Sequence, residues 1–121
     1  MSQFAFLAPE FPEVLSLAAR AEGMARTDAR GACFYARLSL ETLVGWLYRH
    51  EGSLKSPYED TLSARLHEAT FRNLVGPALL AKAKVVKDLG NKAAHEGARA
   101  VPPGDGIAAG RELFHLAYWL A

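Results

Sequence analysis

Several features are scarce in this chain of 121 residues. Its single cysteine, Cys33, excludes an internal disulfide framework and fits a reducing compartment. No run of about 18 apolar residues occurs, so nothing in it reads as a membrane span. The opening Phe4-Ala5-Phe6-Leu7-Ala8 is too short for a signal-peptide core, has no basic flank and stops at Pro9. Net charge is almost nil: 14 basic and 13 acidic side chains leave +1, so the overall charge calls for no nucleic-acid or acidic partner. Strand alternation is nearly absent, and no internal repeat or low-complexity tract is visible. What remains is an apolar content of 50%, which excludes disorder, and a length suited to one domain that builds its core without staples. The expectation is one cytoplasmic, all-α domain over residues 1–121.

The periodicity predicts five helices. Pro12 is well placed at the first position of a helix running to about Arg26, with Phe11, Leu15, Ala18, Ala21 and Met24 as its buried stripe. Asp28 reads as the N-cap of a central helix. Its stripe Ala29, Cys33, Ala36, Leu40, Leu43 and Leu47 steps by four and three, and Phe34, Leu38, Val44 and Trp46 widen it. This helix is expected to end near His50, with Gly52 in the left-handed turn that follows. A loop spans Gly52 to Thr61, then a short helix from about Thr61 to His67, capped by Asp60 or Thr61. Residues 69–76 fit no single class, and Gly76-Pro77 marks a break.

From Pro77 to His95 a helical wheel places Leu79, Ala83, Val86, Leu89, Gly90, Ala93 and Ala94 on one arc of about 140°. Lys84, Lys87, Asp88, Asn91 and His95 share the opposite arc, interrupted only by Leu80. Gly90 lies on the apolar side, where a missing side chain lets another helix come close. Gly97 to Gly106 reads as a surface loop. Asp105 is a candidate cap for a last helix with the stripe Ile107, Gly110, Leu113 or Phe114, Ala117 and Leu120. The chain stops on Tyr118-Trp119-Leu120-Ala121 without a helix-ending residue, which points to a longer parent protein.

Candidate chemistry is sparse. His50, His67, His95 and His115 form no pair at three or four residues' spacing, so no metal site is expected. Cys33 falls in the buried stripe, where a thiol packs rather than reacts. No serine elbow, glycine-rich phosphate loop or Walker sequence occurs. Arg37 and Glu41 stand four apart beside the apolar stripe, either as a simple helix ion pair or as a structural pair reaching another helix. The segment Arg72–His95 carries +4 against −3 for the remainder. Its lysine face suits phosphate neutralisation if it is more than a solvated surface, but few aromatics interleave the lysines, so base stacking has no support.

The strings Phe4-Ala5-Phe6-Leu7, Glu10-Phe11-Pro12, Ala19-Arg20-Ala21-Glu22 and Cys33-Phe34-Tyr35-Ala36-Arg37 have a familiar order. So do Leu40-Glu41, Trp46-Leu47-Tyr48, Lys87-Asp88-Leu89-Gly90-Asn91-Lys92-Ala93-Ala94-His95 and Arg111-Glu112-Leu113-Phe114. Together the strings resemble a domain of unknown function at the start of the restriction (R) subunits of type I restriction-modification enzymes. The resemblance implies a HEPN-like up-and-down bundle of four to five helices, ahead of an endonuclease domain and a helicase motor. It also implies that ATP and Mg belong only to the rest of the parent, whose full length hydrolyses ATP, translocates DNA and cuts it. No Walker lysine loop, Asp-Glu-x-His box or Glu-x-Lys nuclease core lies in this chain, so the domain itself is expected to be non-catalytic and without cofactor.

The fold is also similar to HEPN-superfamily ribonucleases, whose active helix carries arginine, a polar residue, three variable positions and histidine. Here Asn91 and His95 match, but Gly90 stands in place of the arginine. Lys87, one turn earlier, offers a point charge without the bidentate fork. The leading expectation is a docking module for the rest of its own chain and for the methyltransferase and specificity subunits. Lys84, Lys87, Asn91, Lys92 and His95 are its candidate contacts to DNA or RNA backbone. The alternatives are a HEPN-type ribonuclease with His95 as general acid or base and Asn91 positioning the phosphate across a homodimer interface, or an antitoxin-like regulatory bundle.

Overall fold

A computed structural model describes residues 2–95 and 101–120, and for His95 the backbone alone. The chain forms an all-α bundle of five helices, with no strand among the described residues. A single 3-10 turn, Ala5–Leu7, precedes α1 (Pro12–Met24), α2 (Ala29–His50), α3 (Leu62–His67), α4 (Ala69–His95) and α5 (Pro103–Leu120).

The central helix is α2, packed against α1, α4 and α5 and touching α3. The Asp28 side chain accepts the backbone N–H of Gly31 at 3.0 Å, as a capping residue should. Its predicted stripe is buried from Cys33 through Ala36, Leu40, Leu43 and Leu47, joined by Val44. Phe34 departs from the expectation: it is 46% exposed and meets the ring of Tyr35 edge-on at 5.5 Å. The predicted left-handed Gly52 is also corrected. Glu51 ends α2 in an extended conformation and donates its N–H to the Leu47 carbonyl, so the last turn closes without a left-handed residue.

Thr61 caps α3, its hydroxyl accepting the N–H of Ala64 at 3.1 Å. Residues 69–75, ambiguous by pattern, are helical and form the start of α4, which kinks at Gly76. There φ is +83°, a backbone that glycine adopts at little cost, and Pro77 restarts the helix without needing an N–H partner. Along the second half of α4, Ala83, Val86, Gly90 and Ala93 are buried as expected, whereas Ala94 is exposed. A methyl side chain carries too little apolar area to dictate which way it faces.

The last helix starts earlier and faces differently than its pattern suggested. Pro103 opens it, and Asp105 lies in the first turn rather than before it. Residues 97–100 of the predicted loop fall outside the described residues. The buried face is Gly106, Ala109, Leu113, Leu116 and Ala117, and Ile107 is 47% exposed. Small residues sit inside because the helices come close: a Cβ on Gly106 would stand 2.9 Å from the Ala25 carbonyl oxygen and 3.2 Å from the Ala29 Cα. That contact seats the start of α5 against the elbow between α1 and α2.

The opening residues close one end of the core. Phe4 and Leu7 are buried, and Phe4 meets Phe114 edge-on at 5.9 Å. Phe11 packs edge-on against Trp46 at 4.9 Å. The patch that could be mistaken for a leader is thus a lid on the bundle.

Candidate functional site

The lysines of α4 do not form one open face. Lys87 is only 13% exposed and pairs with Asp88 at 3.3 Å. Lys92 stands 3.8 Å from Asp105 of α5, and Lys82 donates to Glu112 of α5 at 2.9 Å. Lys84 and Asn91 are half-buried. The side chain of His95 lies outside the described residues. Of the five sequence candidates, the structure therefore brings Lys87 and Asn91 onto one half-buried seam and turns Lys92 towards an acid. Two of the basic residues behind the +4 of this segment, Lys82 and Lys92, are answered by carboxylates of α5, which sequence distance had hidden.

Arg37 and Glu41 form their expected ion pair within α2, and Arg37 also reaches α4. The stem of Arg37 fills the notch at Gly90: a Cβ built there would lie 2.4 Å from the Arg37 Cβ and 2.6 Å from its Cδ. The Arg37 Nε is buried and makes no hydrogen bond with any described residue. Two turns earlier on α2, the Arg30 guanidinium donates to the Ala93 carbonyl of α4. Arginines from α2 thus lie along the stretch of α4 that holds Asn91. Beside them a polar cleft of about 280 Å³ is lined by Arg37, Glu41, Asp60, Thr61, Leu62 and Arg65. Its guanidiniums are already engaged, Arg37 with Glu41 and Arg65 with Asp60.

Cys33 is buried, and its thiol is pushed up to about 11, chiefly by that burial and secondarily by the nearby Asp105 carboxylate. A thiol so protonated is not a nucleophile near neutral pH. Among the described residues no three histidine, cysteine, aspartate or glutamate side chains gather in a way that would hold a metal ion. Among the described residues no helix is long and apolar enough to cross a membrane.

A second, larger surface was not legible as a site in the sequence. The outer face of α5 exposes Ile107 (47%) and Tyr118 (67%), with Phe114 between them. Phe6 braces that strip, meeting Phe114 and Tyr118 at 5.8 Å each. From Ile107 to Tyr118 is eleven residues, about 16 Å of helix. Beside the strip, α5 and the end of α1 enclose a cleft of about 630 Å³, with Arg26, Arg111, His115 and Glu22 around it. The only sequence signal was the mismatch between Ile107 and the small residues flanking it.

Electrostatics fasten α4 to α5 at Glu112. The Lys82 ammonium, and secondarily Arg111, hold its carboxyl below the usual carboxylate range. A depressed folded value means the stabilisation is complete above the unfolded value near 4.5 and is lost as the pH falls through the folded one. Thermal melts followed by circular dichroism should therefore show Glu112→Gln less stable than wild type at neutral pH, the gap closing as the pH falls below the usual carboxylate range. A gap independent of pH would show that the pair contributes nothing through charge.

The fold places the molecule among small all-α helical bundles. Within that class the chain belongs to the family described as a domain of unknown function, DUF4145, which matches residues 19–116. No curated protein and no solved structure matches the chain.

Proposed function

We propose that this chain is a non-catalytic docking module of the kind that opens type I restriction R subunits, holding its own downstream domains or the methyltransferase core. The observation that carries this reading is the braced apolar strip Ile107–Phe114–Tyr118 on the outside of α5. Exposed aromatic and aliphatic side chains held in place by their neighbours are the usual anchors of a protein interface. The charge pattern supports a protein partner over nucleic acid. Of the lysines that would meet phosphates, Lys87 is paired to Asp88 and Lys92 to Asp105, so binding a backbone through them would first break those pairs.

The test uses the full R subunit and the methyltransferase–specificity complex. Ile107→Glu with Tyr118→Glu should weaken their association about tenfold or more, the loss typical of a central anchor. Lys84→Glu with Lys92→Glu should leave it unchanged. If instead the lysine reversals remove a salt-dependent affinity for duplex DNA and the strip variants assemble normally, the module is a nucleic-acid contact and the docking reading fails.

A further inference from the structure

Resting on the docking reading, we propose that the cleft between the end of α1 and α5 receives a peptide segment of the partner, one carrying a large apolar side chain flanked by carboxylates. The cleft, about 630 Å³, is lined by Ile107, Gly110 and Phe114 from α5 and by Ala25 and Arg26 from the elbow after α1. Its size falls within the roughly 300–1,000 Å³ of ligand-binding pockets. Gly110 makes the opening: a Cβ there would meet nothing within 4 Å, so the floor is hollow for want of a side chain.

The rim sets the sign of the occupant. Arg26 makes no hydrogen bond or ion pair with any described residue. Arg111 is 64% exposed and spends only its Nε on Glu112, leaving the other guanidinium N–H groups for a ligand. The one acid in the lining, Glu22, accepts the backbone N–H of Gln3 at 3.1 Å. Two arginines over an apolar floor match an apolar side chain with an acidic neighbour, since guanidinium grips carboxylate in a fork. The cleft also runs on into the Ile107–Tyr118 strip, which suits a segment that continues along α5 better than a free small molecule. The polar cleft beside Arg37 offers no comparable vacancy, because both of its guanidiniums are paired.

The experiment selects a random dodecapeptide library on the intact chain, then measures the affinity of the winning peptide, labelled with fluorescein, by anisotropy. The selected sequences should share a large apolar residue next to aspartate or glutamate. A Cβ at position 110 meets nothing within 4 Å, and Gly110→Leu extends from there into the hollow and replaces glycine by a better helix former, so it should weaken the peptide about tenfold while the melting temperature holds or rises. Arg26→Glu with Arg111→Glu should weaken the acidic peptide and strengthen its lysine-substituted counterpart. Selection of no peptide, of peptides without acid, or wild-type affinity in Gly110→Leu overturns the proposal. Those outcomes leave the docking reading intact, because it stands or falls on subunit assembly by the Ile107 and Tyr118 variants.

Discussion

Replacing Gly90 by alanine is expected to destabilise the domain by roughly 1–3 kcal/mol, the usual cost of forcing atoms into a filled contact. In an uncrowded helix the same change stabilises by about 1 kcal/mol, because alanine is the better helix former. Here the new Cβ would lie 2.4 Å from the Arg37 Cβ, 2.6 Å from its Cδ and 2.9 Å from its Cγ. Rotating the side chain removes the last two contacts but leaves the Cβ where it is, so α2 and α4 must separate. An Arg37→Ala background should shrink the penalty without abolishing it, giving a coupling of about 0.5–2 kcal/mol in a double-mutant cycle by urea denaturation. If Gly90→Ala melts at or above wild type, the close approach of these helices is wrong.

A larger loss is expected from Phe4→Ala, on the order of 3–5 kcal/mol. Phe4 is fully buried and forms part of one core with Leu7, Phe11, Val14 and Ala18. All five precede residue 19, where the family match begins. Whatever the family holds in common, this chain completes its core with residues outside that stretch. On the scale of total stabilities of about 5–15 kcal/mol, such a loss leaves little margin. Guanidinium titration of wild type and Phe4→Ala decides it. A difference below about 1 kcal/mol would mean the opening turn merely leans on the bundle.

The bundle itself was readable because α2 announces itself. Asp28 is a capping residue by type, the stripe from Cys33 to Leu47 keeps helical period, and Gly76-Pro77 can hardly lie inside an unbroken helix. Where hydropathy misled, the cause was size. Gly106 and Ala109 are buried because α5 nearly touches the α1–α2 elbow, and Ile107 is turned out because larger side chains do not fit there. A pattern that ranks residues by greasiness places isoleucine inside and glycine outside, and so rotates the helix. Gly90 was legible as a point of close approach, but not the arginine stem that fills it.

The candidate site was less legible than the fold. Arg26 lies more than eighty positions from Gly110 and Arg111 in the chain and meets them only through the packing of α5 on the elbow. The lysine face, by contrast, looked open in sequence because Asp105 and Glu112, the partners of Lys92 and Lys82, belong to another helix. Charge along a segment is a local quantity, whereas the field it presents to solvent is a property of the folded surface.

The burial of Cys33 gives the domain a built-in clock. With one cysteine in the chain, every covalent tag that a thiol reagent leaves is a tag in the second turn of α2. A closed bundle shields that sulfur and keeps its proton on, so labelling proceeds only as fast as the helices part. Mass spectrometry of timed labelling then counts openings directly, without added probes or altered residues, and ranks variants by how often their core breathes.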